Sequence, residues 1–188
     1  MKKLTLPLII LIVLTGMNQL AVAQTPNQIR GLYLTYDDYV HHKLSYSGDK
    51  VNLHEFLGQG SIVIVSNGKK TILSKQQVYG YHNNGADYRY FNKVAYQVLD
   101  TRGFYLYSLD KLTQVGKGPK PVQALYFSTK ADATILALTE TSLERAFATN
   151  QKFRYLVEAQ FKSDDDLATY DNALNEYKVK ELYQESLK

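Results

Sequence analysis

The sequence predicts an α+β fold that is mainly β: an antiparallel meander, barrel-like or strongly curved, with two or three C-terminal helices packed on it. Three observations carry this expectation. Up to Leu138 the chain is a succession of short β-branched and aromatic runs punctuated by Gly, Asn and Asp, the pattern of strands joined by turns. Asn67-Gly68, between SIVIVS and KKTIL, is the strongest short hairpin signal, because both turn residues need φ > 0. After Leu138 the period turns helical, with Thr141-x-x-Glu144 set as a capping box ahead of Leu143, Ala146 and Phe147.

The N-terminus has a different purpose. Lys2 and Lys3 precede an apolar run from Leu4 to Leu14, and Ala21-Val22-Ala23 supplies the small residues of a cleavage site. Residues 1–23 read as a signal peptide and residues 24–188 as one β-rich domain, exported to the periplasm or beyond the cell. Losing Lys2 and Lys3 lowers the formal charge from +4 to +2, a near balance that gives nucleic acid no basis as a partner. No other apolar run approaches the ~20 residues that span a bilayer, so no transmembrane segment is expected after cleavage. The chain has no Cys, which removes disulfides, thiolate metal sites, a cysteine nucleophile and a lipidated N-terminal cysteine.

In order, Gln24–Gln28 is a polar leader and Gly31–Thr35 a first strand. Thr35-x-x-Asp38 opens one or two helical turns over Asp37–Lys43. Leu44–Tyr46 is a short strand before the Ser47-Gly48-Asp49 turn, and Lys50–Phe56 alternates as a strand. The Asn67-Gly68 turn sets Ile64 against Thr71 and Val63 against Ile72. Three Tyr-x-Tyr pairs follow, at Tyr79/Tyr81, Tyr88/Tyr90 and Tyr105/Tyr107; in a strand, residues i and i+2 share a face. With His82–Asp87 as a six-residue loop, Tyr81 opposes Tyr88 and Tyr79 opposes Tyr90. A second hairpin joins Val94–Leu99 to Phe104–Leu109, with Leu99 against Phe104. Tyr96, Val98, Tyr105 and Tyr107 then share one face, and Ala95, Gln97, Leu99, Phe104 and Leu106 the other. Gln114–Pro121 reads as a Gly/Pro/Lys loop, and Val122–Ser128 and Thr134–Leu138 as the last strands. Phe153, Leu156, Val157 and Phe161 form one helical stripe. Ser163 and Asp164–Asp166 open another, whose face is Leu167, Tyr170, Leu174 and Tyr177.

GLYLTYDDY…KLSY, VYGYHNNGADYRYFN and AYQVLDTRGFYLYS, followed by LERAFATNQKF and AQFKSDDDLATYDNALNEYKV, resemble a group of small exported proteins, without assigned activity, of Bacteroidota-type bacteria. The resemblance spans nearly all of the mature chain. It implies export and assigns no ligand, cofactor or catalytic role to any position.

The chemistry-bearing residues are sparse. Asp37/His41 and Asp38/His42 are spaced i, i+4 and share helix faces in pairs, while His54 and His82 have no partner readable from sequence. No G-x-S-x-G elbow and no phosphate-cradling glycine loop occurs in residues 24–188, and no catalytic residue, metal or cofactor is assigned. Asp164–Asp166 lacks the alternating ligands of a calcium loop and reads as a helix start. Lys69, Lys70, Lys117 and Lys120 read as solvated turn residues. The compositional oddity is 16 Tyr against no Trp. A tyrosine has an apolar body and a polar tip, suited to lining a groove. The leading expectation is therefore a non-enzymatic envelope binding module whose site is Tyr79, Tyr81, Tyr88, Tyr90, Tyr105 and Tyr107, for an unidentified envelope ligand or protein. The alternatives are a periplasmic enzyme built around Asp37, Asp38, His41 and His42, and a structural partner that docks through its C-terminal helices.

Overall fold

A computed structural model describes residues 31–47, 50–53, 60–115 and 118–188. The expected signal peptide and leader, His54 and Lys117 lie outside the described residues, as do parts of the expected Ser47-Gly48-Asp49 turn and Lys50–Phe56 strand. In chain order the first elements are β1 (Gly31–Tyr33), α1 (Tyr36–Val40), β2 (Tyr46–Ser47), β3 (Lys50–Asn52), β4 (Ser61–Ser66) and β5 (Lys69–Ser74). The central ones are β6 (Gly80–Asn83), β7 (Ala86–Phe91), β8 (Val94–Asp100), β9 (Tyr105–Val115), β10 (Gly118–Ser128) and β11 (Leu136–Ala137). The last are α2 (Glu140–Ala146), α3 (Gln151–Gln160), β12 (Tyr170–Asp171), β13 (Glu176–Tyr177) and α4 (Lys178–Ser186).

The expected architecture is present. An eight-stranded antiparallel sheet runs β11-β10-β9-β8-β7-β6-β1-β2, so β6 to β11 form a meander. A smaller sheet, β3-β4-β5, packs on one end of one face. Ile62 and Ile64 meet Leu32, Val78, Tyr81 and Tyr90 there. The C-terminal helices cover the other end of the same face, where Phe104, Leu106 and Phe127 meet Leu143, Phe153, Val157, Val179 and Leu182. The opposite face carries Tyr107, Tyr126 and Ile135.

The turns explain much of the register. Asn67 and Gly68 have φ of 50° and 72°, and Ile64 faces Thr71 as expected. The His82–Asp87 turn is tighter than expected. Asn84-Gly85 alone makes it, at φ 53° and 77°, while the pairing Tyr81↔Tyr88 holds. Asn92-Lys93, with φ of 50° and 67°, closes a turn between β7 and β8 without any glycine signal. The β8–β9 pairing is shifted by two residues from expectation, to Val98↔Tyr107, with a bulge before Asp100. A shift of two keeps every side chain on its expected face.

Three expectations need correction. Gln114–Pro121 is not an open loop, because β9 and β10 pair along it up to Val115↔Gly118. The cap of α2 is Thr139, which accepts from the Ser142 N–H, two residues before the expected Thr141. Leu167, Tyr170, Leu174 and Tyr177 do not lie on one helix. Asp164–Ala168 is a 3₁₀ turn, β12 and β13 form a small hairpin, and the last helix is α4. Leu167 is buried but Leu174 is 56% exposed. The acidic run caps backbone N–H groups: Asp164 accepts from the Glu140 N–H at the start of α2, and Asp166 from the Lys162 N–H.

Candidate functional site

The six tyrosines do not share a face. Tyr81, Tyr88 and Tyr90 lie on the face covered by the small sheet. Tyr105 and Tyr107 lie on the opposite face. Tyr79 joins the second group although it is two residues from Tyr81. Just before β6 its N–H is shared between the Tyr33 and Leu34 carbonyls, and its ring stands beside Tyr36 and Tyr39. Gly80 permits this irregularity, because a Cβ there would lie 2.1 Å from the Tyr88 carbonyl oxygen.

On the opposite face the tyrosines surround Arg89, which is 5% exposed. Its Nη1 donates to the Tyr107 hydroxyl at 3.1 Å and to Ser128 Oγ at 3.3 Å, and its Nη2 to the Ala133 carbonyl at 2.7 Å. The guanidinium carbon lies 5.6–5.9 Å from the rings of Tyr79, Phe91 and Tyr107, within cation–π range. A planar cation so placed meets neutral oxygens and ring faces through its Nη atoms, while its buried Nε has no hydrogen-bond partner among the described residues, and it pins the loop after β10 to the sheet. The Tyr79 hydroxyl donates to the Ala131 carbonyl of that loop. Burial pushes the Tyr39 and Tyr79 hydroxyls well above the usual tyrosine range. Nearby, Asp87 Oδ1 accepts from the Tyr33 hydroxyl at 3.1 Å and lies 2.8 Å from His82 Nδ1. Sequence alone left that histidine without a partner.

The expected acid–base groups do not converge. Asp37 and His41 form an exposed pair at 3.4 Å. Asp38 is the reciprocal half of the Thr35 capping box and also accepts from Ser45 Oγ. The Ser45 and Thr35 hydrogen bonds hold its carboxyl below the usual range. His42 ends the turn at φ 50° with its ring 6.4 Å from Tyr39.

The face shared by the small sheet and the helices is left partly open between its two covers. A cross-strand row, Tyr81↔Tyr88↔Gln97↔Ser108, forms the floor of a groove of ≈ 810 Å³. Tyr81 and Tyr88 stack there at 4.6 Å and 5°. Lys75 and Lys93 stand on one side, and Leu109, Asp110 and Leu112 of β9 on the other. Only Tyr81 and Tyr88 of the six expected tyrosines line it. Sequence reasoning missed Lys75, Lys93, Gln97, Ser108 and Asp110; the alternation that put Gln97 on the Ala95 face was their one available signal.

Lys180 on α4 is fully buried. Its Nζ donates to the Arg102 and Phe104 carbonyls, lies 3.5 Å from Asp100 and stands 4.0 Å over the Phe104 ring. Burial pushes its ammonium down to about 8. The lysine clamps the β8–β9 turn to the helices; Gly103, at φ 75°, leaves room there for Tyr183, which a Cβ would meet at 2.5 Å.

Among the described residues no group of three or more His, Cys, Asp or Glu side chains is placed to hold a metal ion, and no helix is long and apolar enough to cross a membrane. Comparison with models of protein families, with curated proteins and with solved structures gave no match.

Proposed function

We propose that the protein is an exported, non-enzymatic binding module of the cell envelope, and that its ligand sits in the groove over Tyr81, Tyr88, Gln97 and Ser108. The observation that carries this reading is the groove itself. Its ≈ 810 Å³ falls within the ~300–1,000 Å³ of ligand sites, and its wall mixes aromatic, amide, hydroxyl and charged groups. Rigid strands present those groups, so little ordering entropy opposes binding. Export rests on the tripartite N-terminus ending at Ala23.

The test is native mass spectrometry of the protein purified from its own host, beside Gln97→Trp, which fills the groove from a half-buried position. A bound mass on the wild type that disappears in Gln97→Trp supports the reading. No bound mass, or one equally retained by the variant, contradicts it.

A further inference from the structure

The groove opens where the large sheet splits. The β8–β9 ladder ends at Gln97↔Ser108, yet β8 continues back to Val94 along β7 and β9 continues to Val115 along β10. Val94, Ala95 and Lys93 therefore line one bank of the groove, and Leu109, Asp110 and Leu112 the other.

Proline and alternation fix which backbone groups face the split. Proline has no N–H, so Pro119 and Pro121, opposite Gln114 and Leu112, occupy the non-hydrogen-bonded pairs of the β9–β10 ladder. Leu112, and Asp110 by the same alternation, thus turn N–H and C=O away from β10. They continue the side on which Ser108 meets β8. On β8, Ala95 follows Gln97 in the same way and faces the split. The two edges of the β9–β10 ribbon differ. Pro119 and Pro121 strip two outward N–H groups from the β10 edge, a device that blocks strand addition. Between Ser108 and Thr113, β9 contains no proline, and among the described residues no strand pairs with that stretch of its edge.

We infer that this split takes up an extended segment of another polypeptide as an added strand along Asp110–Leu112 of β9. The inference rests on the binding-module reading and names its ligand class. Main-chain hydrogen bonds to Asp110 and Leu112 give affinity, as in other strand-addition sites. Ala95 on the second bank also faces the split, so a single extended segment has backbone partners on both sides. Another copy's β9 already pairs β10 along one edge and has only its other edge to offer, which favours a peptide segment as the occupant.

The experiment selects a displayed library of random twelve-residue peptides against the exported protein and measures the winners on wild type, Leu112→Pro and Leu112→Thr. Proline at 112 removes an N–H that faces away from β10, as Pro119 and Pro121 do on the neighbouring strand. The expected result is binding that Leu112→Thr keeps and Leu112→Pro weakens at least tenfold, with similar losses on N-methylation of alternate peptide amides. If Leu112→Pro does not fold, slowed exchange of the Asp110 and Leu112 amide protons in the wild-type complex gives the same answer. Failure to enrich any peptide, or binding indifferent to Leu112→Pro, overturns the inference. So does a wild-type dimer that Leu112→Pro dissociates, which would make the occupant a second copy. If peptides fail while the host-derived mass is still lost in Gln97→Trp, strand addition falls and the binding module stands. If both fail, both fall.

Discussion

The large sheet has aromatic residues on both faces, but of different kinds. Under the helices the rings are mainly phenylalanine: Phe104, Phe127, Phe147 and Phe153 pack within 5.1–6.3 Å of one another. On the opposite face they are mainly tyrosine, gathered around Arg89. The difference is one of hydrogen bonding. A phenylalanine is buried at no polar cost, so it fills the layer where helix backbones already satisfy themselves. A buried tyrosine needs a partner for its hydroxyl. On the Arg89 face three have one: Tyr107 with Arg89 and Ser128, Tyr33 with Asp87, Tyr79 with the Ala131 carbonyl. The high tyrosine content thus reflects a core with polar tips, more than a single ligand surface.

That contrast can be broken in order of expected effect. Phe153→Ala, in the dry layer, is expected to cost about 3–5 kcal/mol, read as a drop in urea midpoint at constant slope. Arg89→Met, on the polar face, keeps an unbranched apolar stem and removes three hydrogen bonds. It is expected to cost about 2–3 kcal/mol, because the Ala133 carbonyl loses a charged donor while Tyr107 and Ser128 keep each other. A neutral Arg89→Met would mean that the cluster contributes no stability and that packing alone holds the loop.

Lys180 offers a pH test of the helical side. Its ammonium titrates near 8 in the folded protein against 10.5 for an unburied lysine. Between those values the unfolded chain binds a proton that the folded one lacks, so stability rises with pH. Below about 8 both states are protonated and this contribution is flat. Above about 10 the raised tyrosines act in the opposite sense, since the unfolded chain loses their protons first. Urea midpoints at pH 7.5, 8.5 and 9.5 should therefore climb in the wild type and lose that climb in Lys180→Met. The smallest effect is expected at Leu174, exposed in the β12–β13 hairpin. Leu174→Ala should change stability by less than about 0.5 kcal/mol, and a larger loss would restore the helical stripe that the sequence suggested.

Local chemistry was the legible part. Asn67-Gly68, the Thr35 capping box and the facing of Tyr81 on Tyr88 all follow from short-range rules, and they came out as expected. The Gln114–Pro121 ribbon did not, because proline reads as a breaker unless its N–H position is known to face outward. The Asp164–Tyr177 stripe failed for a related reason. Four apolar residues at helical spacing do not outweigh Asp171, whose Oδ1 accepts from the Ala173 and Leu174 N–H groups and closes a turn. The groove was the least legible feature. It is made by two covers meeting the sheet at different ends and by two strands parting, and neither event leaves a local signature in Gln97, Ser108 or Asp110.

The claim that the tyrosines are mainly interior is tested most directly by nitrating the folded protein and mapping the modified residues by peptide mass spectrometry. Tyr155, 69% exposed, should react readily, while Tyr81 and Tyr107, at 1% and 0%, should stay unmodified until the protein unfolds. Nitration of Tyr107 in the folded protein at a rate comparable to Tyr155 would contradict the polar-tipped core and return the Arg89 face to consideration as a ligand surface.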